Sequence, residues 1–500
     1  MGDMSSCSSW STQRFLRAAT PEPLVLTCSL PAENTFELYI RLTGGLPSSF
    51  LLESGGGVSG LARYSFIGCQ PYQIFSTKGP RYEIWNRDGQ VDGVGDPFDK
   101  LTELFPATPY PRLPHLPPFL GGAVGFLSYD MVRQFERIPE LAVDDLQLPD
   151  MVFLFVEVLA AIDHDSNALH FIFTPEPKRW VSESRDRLVR EGKERLLDWQ
   201  AQLKKSDEHL NLTSNWPHVS RPPIEAQQSR QDYINRVEIC QALIAAGDIY
   251  QANLSHRFTI DVPRNFPQDH HVQGACWYQR IRQVNPSPFS ALLMLDNYTL
   301  VSNSPERLVR LDGQRVEIRP IAGTRPRGRT ISEDRRFIGE LLASPKERAE
   351  HLMLVDLARN DLGRVCRYGT ISAEQFMTVE RYSHVSHLVS NISGFVKKGV
   401  TAFDVLRAAF PGGTITGVPK VHCMEIIEQL EPVRRGVYTG SLGYMSWSGQ
   451  MDMNILIRTL LLAPDQGYLQ VGAGIVADSI PGQEYDETVH KAQAFFQAFG

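Results

Sequence analysis

The sequence lacks a long apolar run, a block of basic residues and a closely spaced pair of cysteines. Its most apolar segment, residues 151–162, is shorter than the ~20 apolar residues that a membrane-spanning helix needs, and it carries Glu157. The 50 Lys and Arg residues are outnumbered by 57 Asp and Glu residues, and the formal charge of −7 argues against a nucleic-acid binder. The 7 cysteines are scattered without a C-x-x-C pair, which argues against a disulfide framework or a structural zinc site.

Signals for secretion and for nucleophilic acyl chemistry are also missing. No basic stretch followed by an apolar core stands at the N-terminus, so we expect a cytoplasmic protein. No Gly-x-Ser/Cys-x-Gly elbow is present to carry a nucleophile. What is there is a 500-residue chain with 42% hydrophobic and 21% charged residues, which is typical of globular proteins with several domains or one large composite fold.

The first half alternates apolar and polar residues between turn residues, a pattern that predicts antiparallel strands. These segments are 47–54, 63–68, 82–85, 121–130, 150–157 and 169–174. A charged helical period follows over 182–205, and the polar, proline-containing residues 206–229 are interpreted as a linker. We therefore predict an N-terminal region over 1–215 and a catalytic region over 229–500.

The second half begins with a predicted helix over 230–246 that Gly247 closes. Further helices are predicted at about 333–360, 418–430 and 483–499, and strands at 289–295, 298–302, 316–320, 436–446, 451–462 and 468–477. Successive strands joined by short turns favour an antiparallel sheet with packed helices.

Two glycine-rich segments could bind an anion. Residues 411–417 run into the helix predicted from Val418, where free backbone amides and the helix dipole attract negative charge, and Thr414 adds a hydroxyl. A tight turn with a helix cap fits the same residues equally well. Residues 472–477 match a dinucleotide fingerprint by letters only, because the segment continues as a strand. Its glycines would still let a ligand carboxylate approach the backbone.

Charged residues fall on faces of predicted elements. The strand over 451–462 would place Asp452, Asn454 and Arg458 on one face, where the arginine could meet a carboxylate of a ligand or of the protein. On the last helix Glu487 and Lys491 share one stripe.

Glu350 lies on another predicted helix, and two glutamates that face one pocket would make a Mg²⁺ site. A solvated helix face with an ordinary Glu487–Lys491 pair is the alternative. His384 and His387 are candidates for acid–base work, although buried histidines of this kind are also common as satisfied core residues.

Taken together, the chain resembles the chorismate-using enzymes related to anthranilate synthase component I over nearly its whole length. The resemblance rests on ordered motifs at 247–251, 285–289, 304–306, 319–324, 350–356, 359–362, 413–414, 457–459, 472–474 and 486–488. It implies an α+β fold, a large composite of antiparallel β-sheets flanked by helices.

The resemblance also implies roles for individual residues. Glu350 and Glu487 correspond to ligands of Mg²⁺, the implied cofactor. The substrate-binding positions are Gly323, Thr324, Tyr438, Arg458, Gly472, Ala473 and Gly474. The catalytic positions are Glu306, the proposed proton donor to the leaving hydroxyl, with His387, Thr414, Gln251 and Lys491. A tryptophan pocket is implied at Ser54, Arg63, Tyr64, Pro288, Phe289 and Ser290.

Within the family, the segments 121–130, 250–255, 289–291, 304–307 and 454–458 are similar to aminodeoxychorismate synthase component I. That enzyme makes 4-amino-4-deoxychorismate, for 4-aminobenzoate and folate, from chorismate and ammonia that a glutamine amidotransferase subunit supplies. Ala322 stands where one subgroup has a lysine proposed as a covalent nucleophile, so direct attack by ammonia is expected.

Anthranilate synthesis, with release of pyruvate for tryptophan synthesis, is the close alternative. An isochorismate synthase is disfavoured because Gln251 replaces a basic lysine, and a non-catalytic tryptophan-binding relative is disfavoured by the intact site. Tryptophan-inhibited relatives usually carry Tyr-Met where this chain has Phe289 and Ser290, so we expect weak tryptophan binding without strong feedback inhibition.

Overall fold

Two large antiparallel β-sheets form the centre of the molecule. The computed structural model describes residues 9–18, 20–55, 63–107, 109–204, 224–261, 269–284, 286–382, 385–464 and 466–496. The strands in these residues are β1 (Ser9–Trp10), β2 (Leu24–Ser29), β3 (Ser49–Glu53), β4 (Tyr64–Gly68), β5 (Gln73–Lys78), β6 (Arg81–Asn86), β7 (Gly89–Val94), β8 (Gly122–Leu127), β9 (Met151–Val156), β10 (Val158–Asp163), β11 (Ala168–Phe173), β12 (Ile224–Ala226), β13 (Gln251–Asp261), β14 (Phe289–Leu295), β15 (Tyr298–Ser304), β16 (Arg307–Asp312), β17 (Arg315–Ile318), β18 (Ile321–Pro326), β19 (Ser372–Arg381), β20 (Val385–Phe395), β21 (Gly417–Val418), β22 (Ser441–Ser446), β23 (Met451–Asn454), β24 (Thr459–Leu462) and β25 (Gln466–Ile475).

The first sheet has the strand order β1-β2-β11-β10-β4-β3-β14-β15-β24-β25-β13-β12, and β21 pairs with β13. The second has the order β18-β20-β17-β16-β23-β22-β8-β9-β5-β6-β7, and β19 pairs with β20. Strands from both predicted regions of the chain therefore lie in each sheet, and the boundary between 215 and 229 stays a prediction. The expectation of antiparallel sheets flanked by helices is confirmed.

The helices pack on the outer faces of the sheets. They are α1 (Thr12–Arg17), α2 (Thr35–Thr43), α3 (Pro97–Glu103), α4 (Pro177–Ser182), α5 (Arg185–Gln202), α6 (Arg230–Ala246), α7 (His270–Val284), α8 (Ile331–Ala343), α9 (Pro345–Val365), α10 (Ala402–Ala409), α11 (Lys420–Leu430) and α12 (Pro481–Phe496), with 3₁₀ turns at Tyr129–Gln134 and Gly413–Ile415. Helix α6 has its predicted bounds and ends at Gly247, whose φ of 82° is the left-handed conformation that glycine adopts readily.

Three layers of apolar side chains hold the sheets and helices together. One cluster lies between the sheets and includes Phe66 and Leu293 of the first sheet with Phe126 and Leu154 of the second. A second cluster joins the first sheet to α1, α2, α5 and α7, and a third joins the second sheet to α3, α9, α10 and α11. Strand β9 is buried at every position because both of its faces are covered, which accounts for the apolar run noted in the sequence.

Three predicted elements differ from the structure. The helix predicted over 333–360 is two helices, because Pro345 cannot donate a backbone hydrogen bond and Ser344 caps α9 through Glu347 N. The single strand predicted over 451–462 is wrong: β23 pairs in the second sheet, β24 pairs in the first, and residues 455–458 cross between them. The helix predicted from Val418 begins at Lys420, because residues 417–418 pair with β13 instead.

Among the described residues, no helix is both long and apolar enough to cross a membrane. The cysteines in the described residues are buried and form no disulfides: Cys28, Cys69, Cys240, Cys276, Cys366 and Cys423.

Candidate active site

Strands β13 and β25 bring a glycine pair against polar side chains. They pair with Asn253 opposite Gly474 and Ser255 opposite Gly472. A Cβ atom built on Gly472 would lie 2.5 Å from Asn253 Oδ1 and 2.6 Å from Tyr438 OH, and one on Gly474 would lie 2.6 Å from Gln251 Nε2. Only glycine leaves room here for these polar side chains to lie against the backbone of β25.

A histidine on β20 faces the bulge of β18. The pairing of the two strands shifts between Ala322 and Thr324 and places Thr324 opposite His387. His387 Nδ1 lies 2.9 Å from Thr324 Oγ1 and 3.3 Å from the Gly323 carbonyl oxygen. Burial lowers the pKa of His387 to about 4, and Arg458 contributes to this shift. Since a carbonyl only accepts, Nδ1 carries the hydrogen of the neutral ring and Nε2 is left as an acceptor.

Glu306 is the buried acid of the site. Burial raises its pKa to about 7, against the opposing effects of the Thr414 hydroxyl, the Ile321 amide and Arg458. The Thr414 hydroxyl is close enough to Glu306 to affect its pKa, yet it has no well-aligned hydrogen-bond partner among the described residues. Ile455 N donates to the Glu306 carbonyl oxygen over 3.0 Å, which holds the acid beside the crossover between the sheets.

Arg458 lies at the end of that crossover, just before β24. It has a φ of 49°, and its carbonyl oxygen accepts a hydrogen bond of 3.0 Å from Asn303 N. Its guanidinium group has no ion-pair partner within 4.0 Å in the described part of the chain, and burial lowers its pKa. A half-buried guanidinium without an ion pair is unfavourable by itself, so its position suits the carboxylate of a ligand.

Two carboxylates from different helices lie beside the glycine pair. Glu350 on α9 accepts a hydrogen bond of 3.3 Å from Gln251 Nε2. Lys491 on α12 donates to the Gly472 carbonyl oxygen over 2.9 Å and forms an ion pair of 2.7 Å with Glu487. Burial, followed by the neighbouring carboxylate of Glu347, raises the pKa of Glu350, and Glu487 adds to the effect.

Carboxylate oxygens at the edge of a cleft are the donor type that Mg²⁺ prefers, so the residues present fit such an ion. Among the described residues, one group of three side chains has possible metal-ligand atoms within 4.8 Å of one another. It consists of Asp269, His270 and His271 at the start of α7, and it does not include Glu350 or Glu487. Glu350 and Glu487 would therefore be two protein ligands of an ion completed by other oxygens.

The contacts above place the predicted catalytic and substrate-binding residues in two groups. Around β13 and β25 lie Gln251, Glu350, Tyr438, Gly472, Ala473, Gly474, Glu487 and Lys491, and around β18, β20 and the crossover lie Glu306, Gly323, Thr324, His387, Thr414 and Arg458. The two groups adjoin, because a Cβ atom built on Gly323 would lie 2.8 Å from Oε2 of Glu347, which neighbours Glu350, and Asn253 N donates to the Thr416 carbonyl oxygen over 2.8 Å. His384 lies outside the described residues. Sequence reasoning missed Asn253, whose buried Oδ1 has no hydrogen-bond partner among the described residues. The period of two along β13, which puts Asn253 on the same face as Gln251, was the available signal.

A second cavity, of about 430 Å³, lies on the other side of β16. Its lining includes all the residues of the predicted tryptophan pocket: Ser54, Arg63, Tyr64, Pro288, Phe289 and Ser290. Its charged groups are already paired. Arg63 contacts both carboxylate oxygens of Asp163 at 3.0 and 2.8 Å, and Arg307 contacts those of Asp452 at 2.8 and 2.9 Å.

Known proteins match the chain over most of its length. The family described as chorismate binding enzyme matches residues 61–497. Anthranilate synthase component 1 of Thermus thermophilus is 42% identical over 468 residues, which are 93% of this chain and 95% of that protein. Aminodeoxychorismate synthase component 1 of Bacillus subtilis is 39% identical over 466 residues, which are 93% of this chain and 94% of that protein.

A solved structure agrees with these matches. Anthranilate synthase component I from Streptococcus pneumoniae superimposes with a TM-score of 0.76 and 32% sequence identity, covering 87% of this chain and 92% of that one. The fold, the motifs and the convergence of the site residues agree with the family match along the chain. The chain therefore belongs to the family of chorismate-binding enzymes.

Proposed function

We propose that this chain aminates chorismate with ammonia and releases 4-amino-4-deoxychorismate. The observation that carries the proposal is a buried acid, Glu306, beside the unpaired guanidinium of Arg458. An acid with a pKa of about 7 is half protonated at neutral pH, which suits it to protonate a departing hydroxyl group. The relatives named above are both "component 1" of their enzymes, which supports an enzyme with a second subunit.

Chorismate carries two carboxylates, and the site offers a separate place for each. Arg458, with the Tyr438 hydroxyl and the backbone of Gly472 and Gly474, would bind one of them. Glu350 and Glu487 would hold Mg²⁺, which when bound supplies positive charge for the other carboxylate. Lys491 orients Glu487 through its ion pair while it stays fixed to the Gly472 carbonyl oxygen.

The reaction balances as chorismate plus ammonia giving the amino product plus water. The ring carbon forms a bond to the ammonia nitrogen as its bond to the hydroxyl oxygen breaks. Glu306 gives its proton to the leaving hydroxyl, and the carboxylate then accepts the surplus proton of the new C–N group. The neutral His387 presents Nε2 to the same space, and Thr414 supplies a hydroxyl beside Glu306.

The chain has no amine at the position that a covalent route requires. Ala322 is buried at the pairing shift of β18, and its side chain carries no nucleophile. We therefore propose direct attack by ammonia. Mass spectrometry of the enzyme quenched during turnover tests this, because a chorismate-derived adduct on any lysine would refute the direct route.

Ammonia is proposed to come from a glutamine amidotransferase subunit. The purified chain should turn over with an ammonium salt and stay inert with glutamine until that subunit is added. Glutamine-dependent turnover by the chain alone would contradict the proposed division of labour between two subunits.

Anthranilate synthesis is the second candidate, and the name of the Thermus thermophilus relative favours it. Incubation with chorismate, Mg²⁺ and ammonium salt separates the two. We expect a product that retains the enolpyruvyl group and yields 4-aminobenzoate only after a separate lyase is added. Anthranilate with pyruvate as the main product would refute the proposed branch, and no turnover of chorismate would refute both.

A further inference from the structure

One buried ion pair connects three segments of the site. Arg435, which follows α11, is 3% exposed and makes a bidentate pair with Glu431. Its Nε donates to Glu431 Oε2 over 2.9 Å, and its Nη2 donates to Oε1 over 2.7 Å. Glu431 Oε1 also accepts from Ser255 N and Ser255 Oγ, each over 2.8 Å. The carboxylate is thus fixed to β13 as well as to the arginine.

The remaining donors of Arg435 reach backbone and side-chain atoms next to proposed substrate-binding and catalytic residues. Nη1 donates to the Ile415 carbonyl oxygen over 2.8 Å and to Thr439 Oγ1 over 3.3 Å. Nη2 also donates to the Asn253 carbonyl oxygen over 2.6 Å. Ile415 follows Thr414, which adjoins Glu306, and Thr439 follows Tyr438, whose OH adjoins the glycine pair.

Arginine is the side chain that this arrangement requires. Its rigid fork places donors in fixed directions, whereas a lysine ammonium is a single point charge. The guanidinium carbon also lies 4.9 Å from the centre of the Tyr129 ring and 5.5 Å from that of the Tyr438 ring, so aromatic faces cover the rest of the group. A buried pair of this kind adds little net stability, because desolvation offsets most of the attraction, so its value lies in geometry.

We infer that Arg435 is a positioning residue: it holds the Thr414 loop, Tyr438 and the Asn253 segment of β13 in the arrangement that amination needs. The inference rests on the proposed function, because the three segments carry the residues assigned to substrate and proton transfer. Arg435 acts through these neighbours.

The substitution Arg435→Lys tests the inference against a matched control, Arg133→Lys. Arg133 also forms a buried pair with a glutamate of α11, from Nη2 to Glu428 Oε2 over 2.7 Å, and it also donates to a carbonyl oxygen, that of Pro139. Its hydrogen bonds lead to the segment 139–142, and it has a longer ion pair of 3.5 Å with Asp130. In the described part of the chain it makes no hydrogen bond to the Thr414 loop or to β13. Both variants keep the positive charge and lose the planar guanidinium group with its fixed hydrogen-bond donors.

We expect Arg435→Lys to lower kcat with ammonium by about 10–100-fold, because small misplacements of reacting groups cost this much, while Arg133→Lys stays near wild type. The pH dependence of kcat gives a readout that a purely structural role would not change. The Thr414 hydroxyl lowers the pKa of Glu306. Displacement of the loop should therefore raise the pH at which kcat falls through loss of the Glu306 proton. We expect this shift in Arg435→Lys and not in Arg133→Lys.

Hydrogen–deuterium exchange of residues 411–418 provides an arm that does not depend on turnover. We expect faster exchange in this segment for Arg435→Lys and wild-type exchange for Arg133→Lys. Exchange and kcat equal to those of the control would overturn the inference while leaving the proposed function intact. If wild type does not turn over chorismate, the proposed function fails, and the exchange arm still decides whether Arg435 holds the loop.

Should Arg435→Lys fail to fold, Glu431→Gln is the second variant. It keeps the shape of the partner but removes one acceptor and the charge that aligns the fork. The same slower turnover and faster exchange of residues 411–418 are expected, to a smaller extent. A Glu431→Gln enzyme with wild-type kcat, pH profile and exchange would overturn the inference.

Discussion

The active site and the 430 Å³ cavity both contain charged side chains, but the two regions differ in whether these side chains form ion pairs. In the cavity, Arg307 and Asp452 satisfy each other through two hydrogen bonds, and Arg63 does the same with Asp163. In the active site, Arg458 has no ion-pair partner among the described residues. Both regions are formed by the same two sheets. They differ in whether their charged side chains are paired.

This contrast separates charges that serve folding from charges that serve binding. A paired arginine has its electrostatic requirements met, so a ligand must break the pair to gain from it. An unpaired, half-buried arginine disfavours the folded state until an anion arrives. The raised pKa values of Glu306 and Glu350 follow the same logic, because burial and neighbouring carboxylates disfavour their charged forms in the free protein.

The largest effect is expected for Glu306→Gln. The amide keeps the shape of the acid but cannot donate a proton to the leaving hydroxyl, so kcat should fall by about 10²–10⁴-fold. Steady-state kinetics with ammonium salt measure this, and chorismate binding by calorimetry serves as the control for an intact site. A variant with near-normal kcat would remove Glu306 from the proton transfer.

The same acid predicts a pH profile. At a constant concentration of free ammonia, kcat should fall as the pH rises through about 7, because the protonated form of Glu306 is lost. Burial raises this pKa, and the Thr414 hydroxyl, the Ile321 amide and Arg458 oppose the shift. At constant total ammonium the rising fraction of free ammonia opposes the fall. A flat profile at constant free ammonia would contradict the role of Glu306.

The next effect concerns the proposed metal-binding carboxylates of the active site. Glu487→Gln removes one proposed oxygen ligand, and the Mg²⁺ concentration for half-maximal activity should rise by about 100-fold or more. Circular dichroism should show an intact fold, because Glu487 is half exposed and its ion pair is with Lys491. Turnover in excess EDTA, or a normal Mg²⁺ requirement in the variant, would refute the metal site.

Whether the sequence predicted a feature of the fold or the site depends on how far apart along the chain the contacting residues lie. Helix α6 and strands such as β9 and β14 follow from local periodicity and turn residues, and these predictions were confirmed, whereas the site strands β13, β18 and β20 were not predicted. The break after β23 could not be predicted from a period of two, because it depends on Asn303 N and the Glu306 carbonyl oxygen, which fix the crossover from a distant part of the chain. For the same reason the sequence left the partner of Arg458 open.

The next prediction tests the paired charges of the cavity. Asp452→Ala would leave Arg307, whose side chain is 2% exposed, without its bidentate partner. We expect the free energy of unfolding to fall by about 3 kcal/mol, as for other broken buried pairs. Denaturant unfolding measures the change, and Lys100→Ala, which removes the exposed Lys100–Glu103 pair, is the control with an effect below about 1 kcal/mol. Equal effects would show that pairing in the cavity does not matter to folding.

For Arg458, which has no ion-pair partner among the described residues, we expect the free energy of unfolding to change in the opposite direction. Arg458→Met replaces a half-buried charge without an ion pair by an apolar chain of similar length, so the free energy of unfolding should rise by about 1 kcal/mol. Turnover should be lost in the same variant, because the anion-binding charge is gone. A variant that is less stable than wild type would show that Arg458 contributes to folding and would break the contrast between the two regions.

The smallest effect is expected for tryptophan, and it tests whether the cavity binds a charged ligand at all. Ser290 in the polar wall of the cavity already has partners: its Oγ lies 3.0 Å from the Ser287 carbonyl oxygen and 2.8 Å from Asn303 Oδ1, and it donates its single hydrogen to one of them. A methionine at this position would give an indole ring apolar and polarisable contact, which serine does not. We therefore expect a Kd near or above about 1 mM, which corresponds to about −4 kcal/mol.

Isothermal titration with tryptophan, using phenylalanine as the matched ligand, measures this binding, and activity at the same concentrations shows whether binding inhibits. Weak binding of both amino acids without inhibition would sharpen the comparison, because an amino acid's carboxylate would meet charged groups that are already paired and, at Arg307, a single nitrogen, Nη1, that has no hydrogen-bond partner among the described residues. Micromolar binding of tryptophan with strong inhibition would break it, since the Arg63 and Arg307 pairs would then have to open for the ligand. That outcome would also move the proposed product from 4-amino-4-deoxychorismate to anthranilate.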